Sequence, residues 1–157
     1  MTKGGTLAGQ NVFYCARIAA GFGSRETVSA IIKIGQRRIA RIELGNTRPY
    51  EDEVVRMADV YSAPELLNYY CSTICSIGKD NVPHIELSTF DRMARKGLAA
   101  IRRAKIAENI LIRIAPDGEI RAGEEAQLLK VLHILQSIEK VTLEMEIYIK
   151  KNLKGCE

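Results

Sequence analysis

Residues 25–45, with the sequence RETVSAIIKIGQRRIARIELG, decide the fold. Apolar residues recur at helical spacing on both sides of Gly35, which interrupts the pattern. The stretch therefore predicts two short helices joined by a tight turn. The apolar residues expected to hold them together are Ile31, Ile34, Ile39 and Ile42. In a helix-turn-helix unit of this kind, the first helix braces against the DNA backbone and the second enters the major groove.

Charge is distributed unevenly around this stretch. Residues 11–48 contain seven Lys and Arg but only two Glu, whereas residues 49–73 contain five acidic residues and one Arg. One end of the predicted domain is therefore basic and suited to face a polyanion. The second helix of the pair concentrates long hydrogen-bond donors within one and a half turns, at Gln36, Arg37, Arg38 and Arg41.

Helical periodicity extends on both sides of the pair. Apolar bursts occur at residues 12–20, 28–32, 39–44, 54–60 and 66–77. They predict five short helices, and hence a helix-turn-helix domain over residues 11–77. Residues 1–10, rich in Gly and Thr, predict a flexible arm. Residues 78–86 begin with Gly-Lys-Asp-Asn-Val-Pro, which is typical of a loop, and predict a linker.

The remainder, residues 87–157, predicts a long antiparallel helical hairpin that serves oligomerisation. Its helices are expected at about 87–114 and 123–151, with a turn at 115–118. The second helix carries an a/d-like seam formed by Leu128, Val131, Leu135, Ile138, Met145 and Ile149. Further apolar residues lie on its other faces, at Leu132, Ile134, Val141, Leu143 and Ile147.

One partner helix cannot cover this much apolar surface, so we expect a homodimer through the C-terminal helices. The alternative is that the hairpin packs back onto the N-terminal unit. The first hairpin helix is basic over residues 92–105, and the second is richer in Glu. Charge complementarity within the hairpin or between subunits is the simpler explanation of this pattern, and contact with the flanks of bound DNA is the alternative.

Composition supports an all-α fold. The chain has 157 residues, of which 46% are hydrophobic and 6% aromatic, and Gly and Pro are too few for a turn-rich β-sandwich or barrel. No apolar run is long enough to span a membrane, and the N-terminus lacks the apolar core of a signal peptide, so we expect a cytoplasmic protein. The four cysteines are too scattered for a disulfide framework.

Nothing in the sequence favours an enzyme. It has no phosphate-binding Gly loop, and neither of its two His residues has a nucleophile or base at a recognised catalytic spacing. Cys71 and Cys75 are four residues apart, but their spacing to the two His residues does not indicate a zinc site. We therefore expect no enzymatic activity, no metal and no cofactor.

Over residues 11–75 the chain resembles the lambda-repressor-like helix-turn-helix family, also called the xenobiotic-response-element type. The matching elements are Ala16-Arg17, Ala20-Gly21-Phe22, Ser24-Arg25-Glu26, Ile39 to Gly45, Arg48-Pro49, Met57-Ala58 and Tyr61. Two positions depart from the family pattern. Ser29 replaces the usual small Ala, and Lys33 replaces the Gly that usually ends the first helix of the motif. A left-handed backbone at a non-Gly residue costs about 1 kcal/mol.

Site residues follow from this resemblance. It makes Gln36, Arg37 and Arg41 the residues that contact bases. It implies phosphate contacts from Arg25, Asn46 and Arg48, and we add Arg38, which is better placed beside the groove. It also implies a structural ion pair between Arg17 and Glu43 beneath the DNA-facing surface.

The function expected from these residues is that of a sequence-specific transcriptional regulator of bacterial or prophage type. We expect a dimeric repressor that binds double-stranded DNA through a recognition helix at about residues 36–44. The alternative is a protein-interaction module, such as an antitoxin-like protein or a phage adaptor, that retains the helix-turn-helix fold without DNA readout.

Overall fold

The computed structural model describes residues 11–114 and 119–153, and all regular structure in these ranges is helical. The all-α prediction is confirmed at this level. The helices are α1 (Val12–Ala19), α2 (Arg25–Ile32), α3 (Gln36–Glu43), α4 (Glu51–Val60), α5 (Glu65–Tyr69), α6 (Gly78–Asn81), α7 (Phe90–Ile114) and α8 (Glu125–Asn152), and a π-helical turn (Tyr70–Ile74) follows α5. The chain divides into two compact units between His84 and Ile85. The predicted arm, residues 1–10, and the predicted turn, residues 115–118, lie outside the described residues.

Side-chain caps fix where the first two helices begin. The Asn11 side chain accepts hydrogen bonds from the backbone N–H groups of Phe13 and Tyr14 at the start of α1. The Ser24 hydroxyl accepts one from Glu26 N–H at the start of α2, 3.1 Å away. Each cap satisfies amide groups that have no partner inside the helix, which stabilises a helix of this type by about 1 kcal/mol.

The turn between α2 and α3 is short and includes Lys33, whose backbone is left-handed, with φ 56° and ψ 40°. The two residues that depart from the family pattern both act at this turn. Lys33 adopts the conformation for which Gly is preferred, and the Ser29 hydroxyl donates a hydrogen bond to the Ile34 carbonyl, 2.7 Å away. Gly35 then begins α3 from an extended conformation.

The core of the first unit lies where the helices of residues 12–69 converge. Its buried apolar residues include Phe13, Val28, Ile32, Ile39, Ile42, Val54, Met57 and Leu66. Of the four isoleucines expected to join α2 and α3, Ile31 is 50% exposed, and Ile32 occupies the buried position in its place. The reason is helical spacing, since Ile32 follows the fully buried Val28 by four residues and shares its face.

Residues 78–83, expected as the start of a linker, are partly helical and packed onto the first unit. α6 begins at Gly78, and a Cβ atom there would lie only 2.3 Å from the backbone oxygen of Cys71. The Asn68 side-chain amide donates a hydrogen bond to the Pro83 carbonyl, 3.0 Å away. A residue without a side chain allows this close approach, so Gly78 marks backbone packing and not a free loop.

In the second unit α7 and α8 run antiparallel. Lys96, near the start of α7, contacts Glu144, near the end of α8, with 2.8 Å between Nζ and Oε2. Arg113, at the end of α7, donates to the side chain of Gln127, at the start of α8. The predicted seam of α8 is shifted, because Ile134 and Ile147 are buried while Leu135 and Ile149 are about half exposed. Apolar residues occupy two adjacent faces of α8, and periodicity alone could not identify the face that contacts α7.

Candidate nucleic-acid interface

α3 presents one polar face to solvent and one apolar face to the core. Ile39 and Ile42 are buried, whereas Gln36, Arg37 and Arg41 are exposed. At 100° per residue, positions 37 and 41 lie on the same side of the helix, with position 36 at its edge. The three residues expected to contact bases therefore share an accessible surface.

The arginines of α3 differ in whether their charge is neutralised. The side chains of Arg37 and Arg41 make no hydrogen bond or ion pair with any of the described residues, 11–114 and 119–153. Their guanidinium groups keep all five N–H donors for an external acceptor. An exposed pair of uncommitted arginines on one helix face is suited to anionic or acceptor-rich ligands.

Arg38, by contrast, is committed within the molecule. Its guanidinium donates two hydrogen bonds to the carboxylate of Glu53 in α4, and Arg38 Nη2 lies 2.7 Å from Glu53 Oε2. The same guanidinium lies 4.3 Å from the centre of the Tyr50 ring. Glu53 also accepts a hydrogen bond from Tyr50 N–H. Arg38 therefore ties α3 to the start of α4. The phosphate contact expected of Arg38 stays a prediction.

Electrostatics strengthens this pair. Burial raises the pKa of Glu53, but hydrogen bonds from Arg38 and from the Tyr50 backbone outweigh burial, so its pKa lies below the ordinary value of 4.5. The hydrogen bond that Arg38 donates to Glu53 raises the pKa of Arg38. Both groups are therefore charged at neutral pH, and the link between α3 and α4 is an ion pair.

A second ion pair lies beneath α3. Arg17 of α1 and Glu43 of α3 are 2% and 1% exposed, and Arg17 Nε lies 2.6 Å from Glu43 Oε1. The same Arg17 side chain donates to the backbone oxygens of Phe22 and Gly23. Hydrogen bonding to Glu43 raises the pKa of Arg17 above its ordinary value. The structure thus joins α1, α3 and the loop before α2 through one buried guanidinium.

Arg25, at the start of α2, extends this network to the surface. Its Nε lies 2.7 Å from Glu43 Oε2, yet its side chain is 36% exposed. The other guanidinium N–H groups are therefore available to a phosphate. Arg25 borders a shallow hollow of about 600 Å³ between α2 and α3, whose lining includes Ser24, Gln36, Arg37 and Ala40. The amino end of α2 opens toward this hollow, and helix amino ends favour anions.

The other two expected phosphate contacts follow the carboxyl end of α3. Asn46 and Arg48 are both exposed, and Arg48 makes no ion pair with a described residue in 11–114 or 119–153. Gly45 before them has a left-handed backbone, with φ 74°, and the Asn46 N–H donates to the Arg41 carbonyl, 2.8 Å away. The loop is therefore fixed to the last turn of α3.

This surface also contains residues that the sequence does not predict. Leu44 is 53% exposed and lies on the same side of the helix as Arg37 and Arg41. Tyr50 and the buried Glu53 hold Arg38. Helical spacing of four from Ala40 could have identified Leu44, but the Arg38–Glu53 pair joins residues 15 apart, and no local pattern indicates it.

No family model, no curated protein and no solved structure matches this chain. The candidate interface is therefore defined by α2, α3 and the loop after α3. In the described parts of the chain, no group of three or more metal-ligating side chains comes together. The helices of residues 11–114 and 119–153 also lack a segment with the length and hydropathy needed to cross a bilayer.

Proposed function

We propose that this chain is a sequence-specific, DNA-binding transcriptional regulator that acts as a dimer, with α3 as its recognition helix. The observation that carries the proposal is the contrast within α3 and its surroundings. Arg37 and Arg41 are exposed and unpaired among the described residues of 11–114 and 119–153, while Arg17 and Glu43 beneath them form a buried ion pair. The buried pair fixes α3 against α1, and functional side chains are commonly held on rigid elements in this way.

The dimensions of α3 suit the major groove. An α-helix with its side chains is about 10–12 Å across, and the major groove of B-form DNA is about 12 Å wide, so α3 can lie in it. Arg37 and Arg41 supply the two-pronged donors that match guanine O6 and N7, and Gln36 supplies the donor and acceptor pair that matches adenine N6 and N7. The exposed Leu44 adds an apolar side chain suited to a thymine methyl group.

Phosphate contacts would fix the position of α3 in the groove. Arg25 and the amino end of α2 line the hollow beside α3. Asn46 and Arg48 follow the carboxyl end of α3. Such contacts orient the protein without specifying sequence. The resemblance of residues 11–75 to lambda-repressor-like domains supports the same placement, with a five-helix DNA-binding domain ahead of the helical hairpin.

Dimerisation through the hairpin would present two recognition helices to two half-sites. Their centres would lie about 34 Å apart or a multiple of this distance. A protein bound in this way across a promoter excludes polymerase, so repression is the simplest outcome. Only a symmetrical site gives both subunits equivalent contacts.

Selection of bound fragments from random double-stranded DNA tests the proposal directly. The full chain should enrich a pseudo-palindromic site, and log affinity for that site should fall steeply and linearly with log salt concentration between about 50 and 200 mM. The matched control is the double variant Arg37→Ala/Arg41→Ala, which changes exposed side chains and should fold normally while losing enrichment. If the wild-type protein enriches no motif and shows no salt-dependent binding, the proposal fails and a protein-interaction module becomes the better description.

A further inference from the structure

The hairpin of α7 and α8 carries an apolar groove of about 380 Å³ on one side. Its lining includes Gly97, Leu98, Ile101, Ile138, Thr142 and Met145. Leu98 and Ile101 are 56% and 70% exposed, so the groove is not covered by the rest of this unit. Gly97 forms part of its wall, since a Cβ atom there would lie 3.6 Å from Val141 Cγ1.

The two helices place opposite charges on either side of this groove with the same spacing. On α7, Arg95 and Arg102 flank Leu98, at three residues before and four after. On α8, Glu139 and Glu146 flank Thr142 in the same way. Residues three and four apart are neighbours on a helix surface. Each rim of the groove is therefore a row in which an uncharged residue lies between two charged ones. The charged residues are basic on α7 and acidic on α8.

The register of the hairpin puts these rows side by side. The contacting pairs Lys96–Glu144 and Arg113–Gln127 share one antiparallel register. In this register, moving one residue forward along α7 corresponds to moving one residue back along α8. In this register Leu98 lies level with Thr142. Arg102 then lies within one residue of the level of Glu139, and Arg95 within one residue of the level of Glu146.

Three of the four rim charges have no ion-pair partner among residues 85–114 and 119–153. Among the described residues of this unit, ion pairs join Arg95 with Asp91, Lys96 with Glu144 and Lys105 with Glu108. Arg102, Glu139 and Glu146 take part in none of them. The basic helix α7 has seven Lys and Arg against two acidic residues, and the ion pair found between the described residues of α7 and α8 joins Lys96 to Glu144.

We propose that a second copy of this chain covers the groove, related by a two-fold axis parallel to α7 and α8. This rotation preserves the level of each residue and places α7 of one copy over α8 of the other. Arg102 then faces Glu139 of the partner subunit, and Arg95 faces Glu146 of the partner subunit, while Leu98 and Ile101 cover the partner's groove. The inference rests on the dimeric state in the proposed function and specifies its interface.

The alternative two-fold axis, perpendicular to the helices, is disfavoured by charge. It would place α7 against α7, and two strongly basic helices would repel one another. An unrelated partner is not needed, because the chain itself supplies both the groove and the matching rows of charge. Self-complementarity of this kind is what an isologous dimer requires.

A charge-reversal cycle on the full chain tests the arrangement by sedimentation equilibrium in the absence of DNA. Arg102→Glu and Glu139→Arg should each raise the dimer dissociation constant at least about 10-fold, since the two-fold axis creates each like-charge contact twice. The double variant should return to within about 3-fold of wild type. A gain in dimer affinity for Arg102→Glu alone, or no recovery in the double variant, would overturn the proposed axis.

A second pair of variants tests the groove itself. Ile101→Asp, inside the groove, should give a monomer at concentrations where the wild type is dimeric. Leu129→Asp changes a leucine that is 55% exposed on α8 but outside the groove lining, and it should remain dimeric. Helical content by circular dichroism should be the same for both variants. A monomeric wild type, or equal effects of the two variants, would refute the inference.

These outcomes are separable from those of the proposed function. An intact dimer with a restored charge cycle but no sequence-specific DNA binding would refute only the regulatory role. Sequence-specific binding by a wild-type chain that sediments as a monomer would refute the interface and the dimeric state, but not DNA recognition by α3.

Discussion

Glu43 accepts hydrogen bonds from two arginines, Arg17 at 2.6 Å and Arg25 at 2.7 Å. The first arginine is buried and the second reaches the surface beside α3. One carboxylate therefore links the interior of the domain to the edge of the proposed DNA-binding surface. Its charge balances a guanidinium that has been removed from water, and this makes the pair sensitive to loss of either partner.

Glu43→Ala is expected to destabilise the first unit by about 3–5 kcal/mol, because it leaves the buried Arg17 charge without a counterion. Urea denaturation followed by circular dichroism measures the loss. Arg25→Ala is the control, since its partly exposed side chain can be removed without leaving an unpaired buried cation. This variant should keep an unfolding free energy close to that of wild type and should bind DNA more weakly. An unfolding midpoint for Glu43→Ala equal to that of wild type would remove this pair from the account of the fold.

Arg38→Ala should destabilise the unit by about 1.5–3 kcal/mol, because Glu53 loses its charged hydrogen-bond partner in a nearly buried position. If Arg38 acted mainly on phosphate, stability would be unchanged and only DNA affinity would fall. Comparing urea denaturation with binding to random DNA separates the two roles. Arg37→Ala, on the exposed face of α3, is the matched control and should leave stability unchanged.

The Glu53 pair also predicts a dependence of stability on pH. The pKa of Glu53 in the folded protein lies below its ordinary value of 4.5. Its contribution is therefore fully present above pH 4.5 and is lost as the pH falls through the lowered pKa. Glu53→Gln should be less stable than wild type at neutral pH but should lose less further stability on acidification. If the free energies of unfolding of the two proteins fall by the same amount as the pH is lowered, Glu53 does not contribute in this way.

Lys33→Gly should stabilise the protein by up to about 1 kcal/mol, because Gly relieves the left-handed strain while its greater freedom in the unfolded chain offsets part of the gain. Thermal unfolding measures the change as a rise in Tm. Lys33→Ala is the control, since it removes the same charged side chain but keeps a Cβ atom, and it should give no such rise. If Lys33→Gly and Lys33→Ala raise Tm equally, the gain in stability comes from removing the charge of Lys33 and not from relief of backbone strain.

Local patterns accounted for the elements of the first unit better than for the pairing of its charges. Spacing around Gly35 located α2 and α3, but the expected core residue Ile31 is exposed and its neighbour Ile32 is buried. Positions three and four residues after Val28 both lie near its face, so the period alone does not separate them. From the sequence, Arg38 was expected to contact phosphate beside the groove. Its partner Glu53 belongs to another helix, and only the fold brings the two together.

Residues 78–83 illustrate a different limit. Gly and Pro indicated a loop, but the structure uses Gly78 for close packing against Cys71. Sequence alone does not distinguish a glycine that bends the chain from one that permits contact. In α8, likewise, the predicted seam included Leu135 and Ile149, but Ile134 and Ile147 are the buried residues, because apolar side chains occupy two adjacent faces of this helix.

Gly78→Ala should destabilise the first unit by about 1–3 kcal/mol, because its methyl group would collide with the backbone of Cys71, which cannot rotate away. Gly23→Ala is the control, since no atom lies within 4 Å of the Cβ position there. Urea denaturation of both variants measures the difference. Equal stability of the two variants would show that α6 shifts without cost.

Arg41→Ala and Arg48→Ala should separate base recognition from phosphate contact. Arg41 lies on the exposed face of α3, so its loss should cost about 1–3 kcal/mol on the selected site and relax preference at one base position. Arg48 follows α3 in an exposed loop, so its loss should weaken binding to all sequences alike and reduce the salt slope by about one. Binding to the selected site, to its single-base variants and to random DNA, each at several salt concentrations, measures both effects. Equal losses for Arg41→Ala on selected and random DNA would show that Arg41 contacts the backbone, and α3 would then lack its central base contact.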